Sequence, residues 1–94
     1  MSPLELNALG AVAVDYESVE TILGELEHDL HRAIQPSELF GVLCSLAERH
    51  LVAAYIYDPL TKDYVAAPPR SRADSEIWFR ATPLGRREHE QLVA

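Results

Sequence analysis

Residues Gln35–Asp58, QPSELFGVLCSLAERHLVAAYIYD, decide the fold. Proline is favoured at the first turn of a helix, and a carboxylate such as Glu38 suits that turn because the macrodipole is positive there. At about 100° per residue, Leu39, Phe40, Val42, Leu43, Leu46 and Ala47 fill most of the helix circumference. Ser37, Glu38, Gly41, Ser45, Glu48 and Arg49 share the remaining arc. Such a helix is embedded, with only a narrow polar stripe able to meet a partner. From Leu51 the pattern changes to LVAAYIY, a run of strand formers.

Two helices are expected before it. Ser2-Pro3-Leu4-Glu5 has the form of a capping box with proline at the first helical position, so a short helix runs from about Pro3 to Val12. Its expected buried residues are Leu4, Leu9 and Val12. Asp15 is a suitable N-cap for a second helix reaching about His31. Val19, Ile22, Leu23, Leu26 and Leu30 make its apolar face, and Glu17, Glu20, Glu25, Glu27 and Asp29 its acidic one.

After the first strand, DPLTKD reads as a turn and YVAA as a returning strand. PPRSRADS is a loop expected to be mobile, and EIWFRAT, Glu76 to Thr82, is a further strand with Trp78 and Phe79 on opposite faces. Thr82-Pro83 then caps a last helix. The order is that of an α+β winged helix-turn-helix: a three-helix core, a β-hairpin wing over about residues 51–82, and a short C-terminal helix. One domain spans residues 1–94.

Composition narrows the function. Residues 1–50 carry two arginines against nine acids, whereas residues 51–94 carry six cations and six acids, so the whole net charge of −7 lies in the first half. That distribution argues against non-specific nucleic-acid binding by the helices alone. No apolar run approaches the roughly 20 residues that span a bilayer. With a single cysteine, Cys44, and no signal-peptide pattern, a cytoplasmic protein is expected.

FGVLCSLAERHLV resembles the PadR-type winged-helix regulators, whose motif is aromatic-x-x-Leu-x-x-Leu-x-x-x-Gly-Leu. Phe40, Leu43, Leu46 and Leu51 stand at its aromatic and leucine positions, and His50 stands where the family has glycine. WFRATPLGRREHEQL is similar to the family's aromatic-x-x-Thr-Pro-x-Gly-Arg, matched by Phe79, Thr82, Pro83, Gly85 and Arg86. The resemblance covers roughly half the chain. It implies a dimeric transcriptional regulator bound to double-stranded DNA, with the third helix in the major groove and the wing on flanking backbone or minor groove.

Under that reading Ser37, Ser45 and Arg49 meet base edges or phosphates, Gly41 permits close approach, and Glu38 or Glu48 accepts from a cytosine amino group. Lys62, Arg70 and Arg72 supply phosphate contacts from the wing. The plainer reading makes the stripe an ordinary solvated face. A second function class keeps the fold but docks a basic protein on the acidic second helix or the aromatic hairpin formed around Tyr55, Tyr57, Tyr64 and Trp78. Cys44 reads as a small packed residue. His28 and His31 lack a convincing third ligand, so no metal is expected. Nothing resembles a phosphate-binding loop or a nucleophile elbow, so neither a cofactor nor an enzyme activity is expected.

Overall fold

The computed structural model describes residues 1–93. Helix α1 spans Pro3–Ala11 and opens on the expected capping box: Ser2 Oγ accepts from Glu5 N at 3.2 Å and Glu5 Oε1 accepts from Ser2 N at 3.0 Å. Leu4, Leu9 and Val12 are buried as anticipated, together with Ala8. Strand β1 (Glu17–Ser18) comes before α2 (Val19–Leu30).

The start of α2 corrects the sequence reading. Asp15 spends its carboxylate on the neighbouring Tyr16 N (2.7 Å), and the cap is Ser18, whose Oγ accepts from Thr21 N at 3.3 Å. Glu17 therefore lies on a strand and not on the helix. The two residues of β1 pair with a distant strand, and no local periodicity announces such a contact.

Helix α3 spans Pro36–Glu48. Its end is closed by two backbone bonds, Leu51 N to Leu46 O and His50 N to Ala47 O, both 3.0 Å. This is the Schellman arrangement, which needs a left-handed residue at the position after the cap. His50 fills it with φ 60°. The same turn starts β2 (Val52–Asp58), which is followed by β3 (Asp63–Ala66), a 3-10 turn at Asp74–Glu76, β4 (Trp78–Ala81) and α4 (Pro83–Val93).

The four strands form one antiparallel sheet in the order β1-β4-β2-β3. The neighbours of β2 differ along its length. Tyr55–Asp58 pair with β3, whereas Val52–Tyr55 pair with β4 on the other side. The connection 67–77 therefore has to cross from one side of β2 to the other. Four helices and this sheet make an α+β fold whose layout is compatible with a winged helix.

One face of the sheet lies on the helices. Ala54, Phe79 and Ala81 meet Leu9, Ile22, Leu26, Leu39, Leu43 and Leu46 in an apolar core, and among the described residues no charged side chain is buried. Helix α4 is fastened to the end of α3 through Thr82. Its Oγ1 donates to His50 O at 2.6 Å and accepts from Gly85 N at 3.0 Å, while Thr82 N donates to Leu51 O at 3.1 Å. The Thr-Pro-x-Gly residues thus perform a structural task, capping one helix while bonding the turn that ends another.

Candidate nucleic-acid interface

The helical arc read from sequence is the exposed part of α3. Ser37, Glu38, Ser45, Glu48 and Arg49 are exposed and Gly41 is half-buried. A Cβ on Gly41 would meet nothing within 4 Å, so internal packing does not require the glycine. Cys44, beside the stripe, is buried, and burial raises its pKa, holding the thiol protonated at neutral pH.

Both cations of the first half of the chain are paired with acids. Arg49 Nη1 lies 3.0 Å from Glu5 Oε2, joining the end of α3 to the start of α1. Arg32 Nη2 lies 3.4 Å from Glu38 Oε2. Glu5 also serves the capping box, so its pKa is lowered by the Ser2 backbone and hydroxyl hydrogen bonds first and by Arg49 after them. Pairs this exposed stabilise by only about 0–1 kcal/mol, so a phosphate could exchange for either carboxylate at small cost.

The cations of the second half are in a different state. Among the described residues Lys62, Arg70, Arg72, Arg80, Arg86 and Arg87 form no salt bridge. Lys62 is exposed in the β2–β3 turn at φ 56°, next to Leu60, which is 92% exposed. Arg70 and Arg72 lie, as expected, on the loop between β3 and β4, and both are exposed. Arg70 packs its guanidinium 5.6 Å from the Phe40 ring centroid, and its charge reaches Cys44, so it sits along the edge of the α3 stripe. The crossing of 67–77 brings it there. Arg72 lines a cleft of about 340 Å³ with Ile56, Tyr57, Glu76 and Trp78.

The acidic face of α2 is partly structural. Glu27 Oε2 accepts from Ile34 N at 3.0 Å and so anchors the connection from α2 to α3. His28 and His31 hold their ring centroids 6.5 Å apart, and among the described residues no three His, Cys, Asp or Glu side chains gather to hold a metal ion. Among the described residues no helix is long and apolar enough to cross a membrane.

Sequence reasoning underestimated the outer face of the sheet, turned away from the helices. Alternation along the strands places Tyr55, Tyr57, Tyr64, Trp78 and Arg80 there. Tyr16, from the α1–β1 connection, lies on top. Its ring stacks on Tyr64 (4.0 Å, 7°), stands edge-on to Tyr55 (4.9 Å) and lies under the Arg80 guanidinium (5.0 Å). Arg80 Nε is buried without an acceptor, a cost offset in part by the ring beneath it. The aromatic-rich hairpin was the legible signal; the arrival of Tyr16 was not. No family model, curated protein or solved structure shows a significant match to this chain.

Proposed function

We propose that this chain is a winged helix-turn-helix protein that binds double-stranded DNA, with α3 in the major groove. The order α1-β1-α2-α3-β2, followed by β4 paired between β2 and β1, supports a winged helix. In that reading β3 and the crossing 67–77 elaborate the wing. The observation that carries the function is Arg70: an unpaired guanidinium seated on Phe40 beside the stripe of exposed Ser37 and Ser45 and half-buried Gly41. It places a cation where the flank of an inserted helix passes a phosphate strand. Ser37 and Ser45 offer hydroxyls to base edges, and Glu38 and Glu48 offer acceptors to a cytosine amino group. Lys62 reaches outward at the hairpin tip. Arg49 joins the interface once it leaves Glu5, and a symmetric dimer doubles the set of phosphate contacts.

The test is fluorescence-anisotropy binding to random-sequence duplex DNA across a salt series. A real interface gives affinity that falls with salt by about 0.9 in the logarithmic slope for each phosphate neutralised. Arg70→Ala should then weaken binding to every sequence and flatten the slope by about one. Absence of binding at low salt, or a slope unaffected by Arg70→Ala, overturns this function.

A further inference from the structure

Arg70 is held on two sides. One is its own backbone. Residues Pro68–Ser71 form a β-turn in which Ser71 N donates to Pro68 O at 3.0 Å, and the Ser71 hydroxyl donates to the same oxygen at 2.6 Å. Pro69 stands at the first central position, where a ring-locked φ is favoured, and Arg70 at the second. The two prolines remove backbone freedom that a connecting loop otherwise keeps. The base of the loop is bonded to the sheet, since Ala67 N donates to Ala54 O at 3.1 Å, and at its far end Ile77 is fully buried.

The other side is α3. The guanidinium lies 5.6 Å from the Phe40 ring centroid, and that ring is itself fixed by edge-on packing against buried Phe79 at 6.2 Å. The Arg70 charge also reaches the thiol of Cys44, one helical turn after Phe40. Phe40 and Cys44 are the chain neighbours of Gly41 and Ser45, so the guanidinium stands level with the middle of the polar stripe and not at one of its ends.

Lys62 gives the comparison. It is exposed at the hairpin tip and, among the described residues, makes neither an ion pair nor a ring contact. A long cation that is free before binding loses its rotamer freedom when it grips a phosphate, whereas one already held loses little. A planar guanidinium suits such a seat, because it stacks on a ring face while its N–H groups stay available at the edge.

We propose that Phe40 and the Pro68–Ser71 turn are positioning elements that present a preorganised Arg70 to the phosphate strand flanking α3. The crossing 67–77, and not the β2–β3 tip, is then the part of the wing that grips DNA. This rests on the DNA-binding reading and adds to it the residues that make the contact effective.

Two readouts on the full chain test it. The first needs no DNA. In isotope-labelled protein the Nε–H resonance of Arg70 should be displaced from its random-coil position by the Phe40 ring current. Phe40→Leu should return it there, and Lys62→Ala should leave it in place. A random-coil position in the wild type overturns the proposal.

The second readout is anisotropy binding to random-sequence duplex across a salt series. Phe40→Leu should weaken binding by about two- to tenfold with the slope intact, because Arg70 still reaches the phosphate but must first be ordered. Arg70→Ala instead flattens the slope by about 0.9. In the Arg70→Ala background Phe40→Leu should cost nothing further. Ser71→Ala, which removes a bond outside the core, should repeat the Phe40→Leu pattern on a smaller scale, and both variants are checked for native circular dichroism. An equal loss from Phe40→Leu with and without Arg70 overturns the positioning role while DNA binding stands, as does a larger loss from Lys62→Ala than from Arg70→Ala. Failure of the wild type to bind at low salt, with the Arg70 resonance still displaced, overturns the DNA reading itself and this proposal with it.

Discussion

Gly85 lies against the carbonyl of Leu51, and a Cβ at position 85 would overlap that carbonyl oxygen. The obstacle is backbone, which cannot rotate away as a flexible side chain can. Thr82 N donates to the same oxygen, so any retreat of Leu51 breaks the attachment of α4 to the turn after α3. Gly85→Ala should therefore destabilise the protein by about 1–3 kcal/mol or more, the range for overpacking a close-packed site. The urea midpoint is the measurement, and an unchanged midpoint would show that α4 is not held this way.

His50 presents the opposite case. It holds φ 60° in the left-handed region, where an L side chain is strained and glycine is not. Its imidazole is exposed and its backbone makes the useful bonds, to Ala47 O and from Thr82 Oγ1. His50→Gly should stabilise by about 0.5–1 kcal/mol, after allowing for the extra freedom glycine gains in the unfolded chain. Thermal melting at fixed pH decides it, and a lower melting temperature would contradict the assignment of strain.

Two glutamates should give stability profiles of opposite slope. The pKa of Glu5 is lowered in the fold by its bonds to Ser2 and by Arg49, so its stabilisation is present above the unfolded carboxyl range and is lost as pH falls through the folded value. The pKa of Glu17 is raised by burial first and then by Glu25 and Asp15, so its ionised form opposes folding at neutral pH. That penalty disappears as pH falls through its folded and then its unfolded value. Glu5→Gln should thus lower the urea midpoint at pH 7, with the gap to wild type closing towards pH 3. Glu17→Gln should raise the midpoint at pH 7, with its gain fading over the same descent.

How much of this was legible in the sequence follows from the range of the interactions. The capping box of α1, the embedded character of α3 and its polar arc are set by residues three to twelve positions apart, and periodicity exposes them. The strands YVAA and EIWFRAT were also recognisable. Their positions in the sheet were not, because β4 takes the central place beside β2 through pairs such as Ala54↔Phe79. Nor was the Ser18 cap, which depends on Ser18↔Trp78. The site follows the same division. Ser37, Gly41 and Ser45 come from helical geometry, but the Arg49–Glu5 pair spans 44 residues, and the seat of Arg70 on Phe40 depends on the crossing of 67–77.

Gly41 separates stability from recognition. A Cβ there meets open space, and alanine favours a helix over glycine by about 1 kcal/mol. Gly41→Ala should therefore raise the melting temperature. If α3 approaches a groove along Ser37, Gly41 and Ser45, the same methyl group stands between the helix and the bases, and DNA affinity should fall several-fold. A variant that is more stable and binds DNA undiminished would remove this stripe from the interface.

Glu5→Gln tests whether the ion pair at the end of α3 restrains that interface. In the free protein Glu5 holds Arg49 at 3.0 Å, and a phosphate must displace it before the arginine can contribute. Neutralising the carboxylate removes both the competitor and a negative charge near the incoming backbone. Binding to random-sequence duplex should strengthen, and the logarithmic salt slope should steepen by about one phosphate contact, close to 0.9. Stability moves the other way, because the capping box loses its charged acceptor. An Arg49→Ala,Glu5→Gln double variant should lose the added slope while keeping the stability loss. If the slope stays steep in the double variant, the gain comes from the general charge of α1, and Arg49 is not a contact.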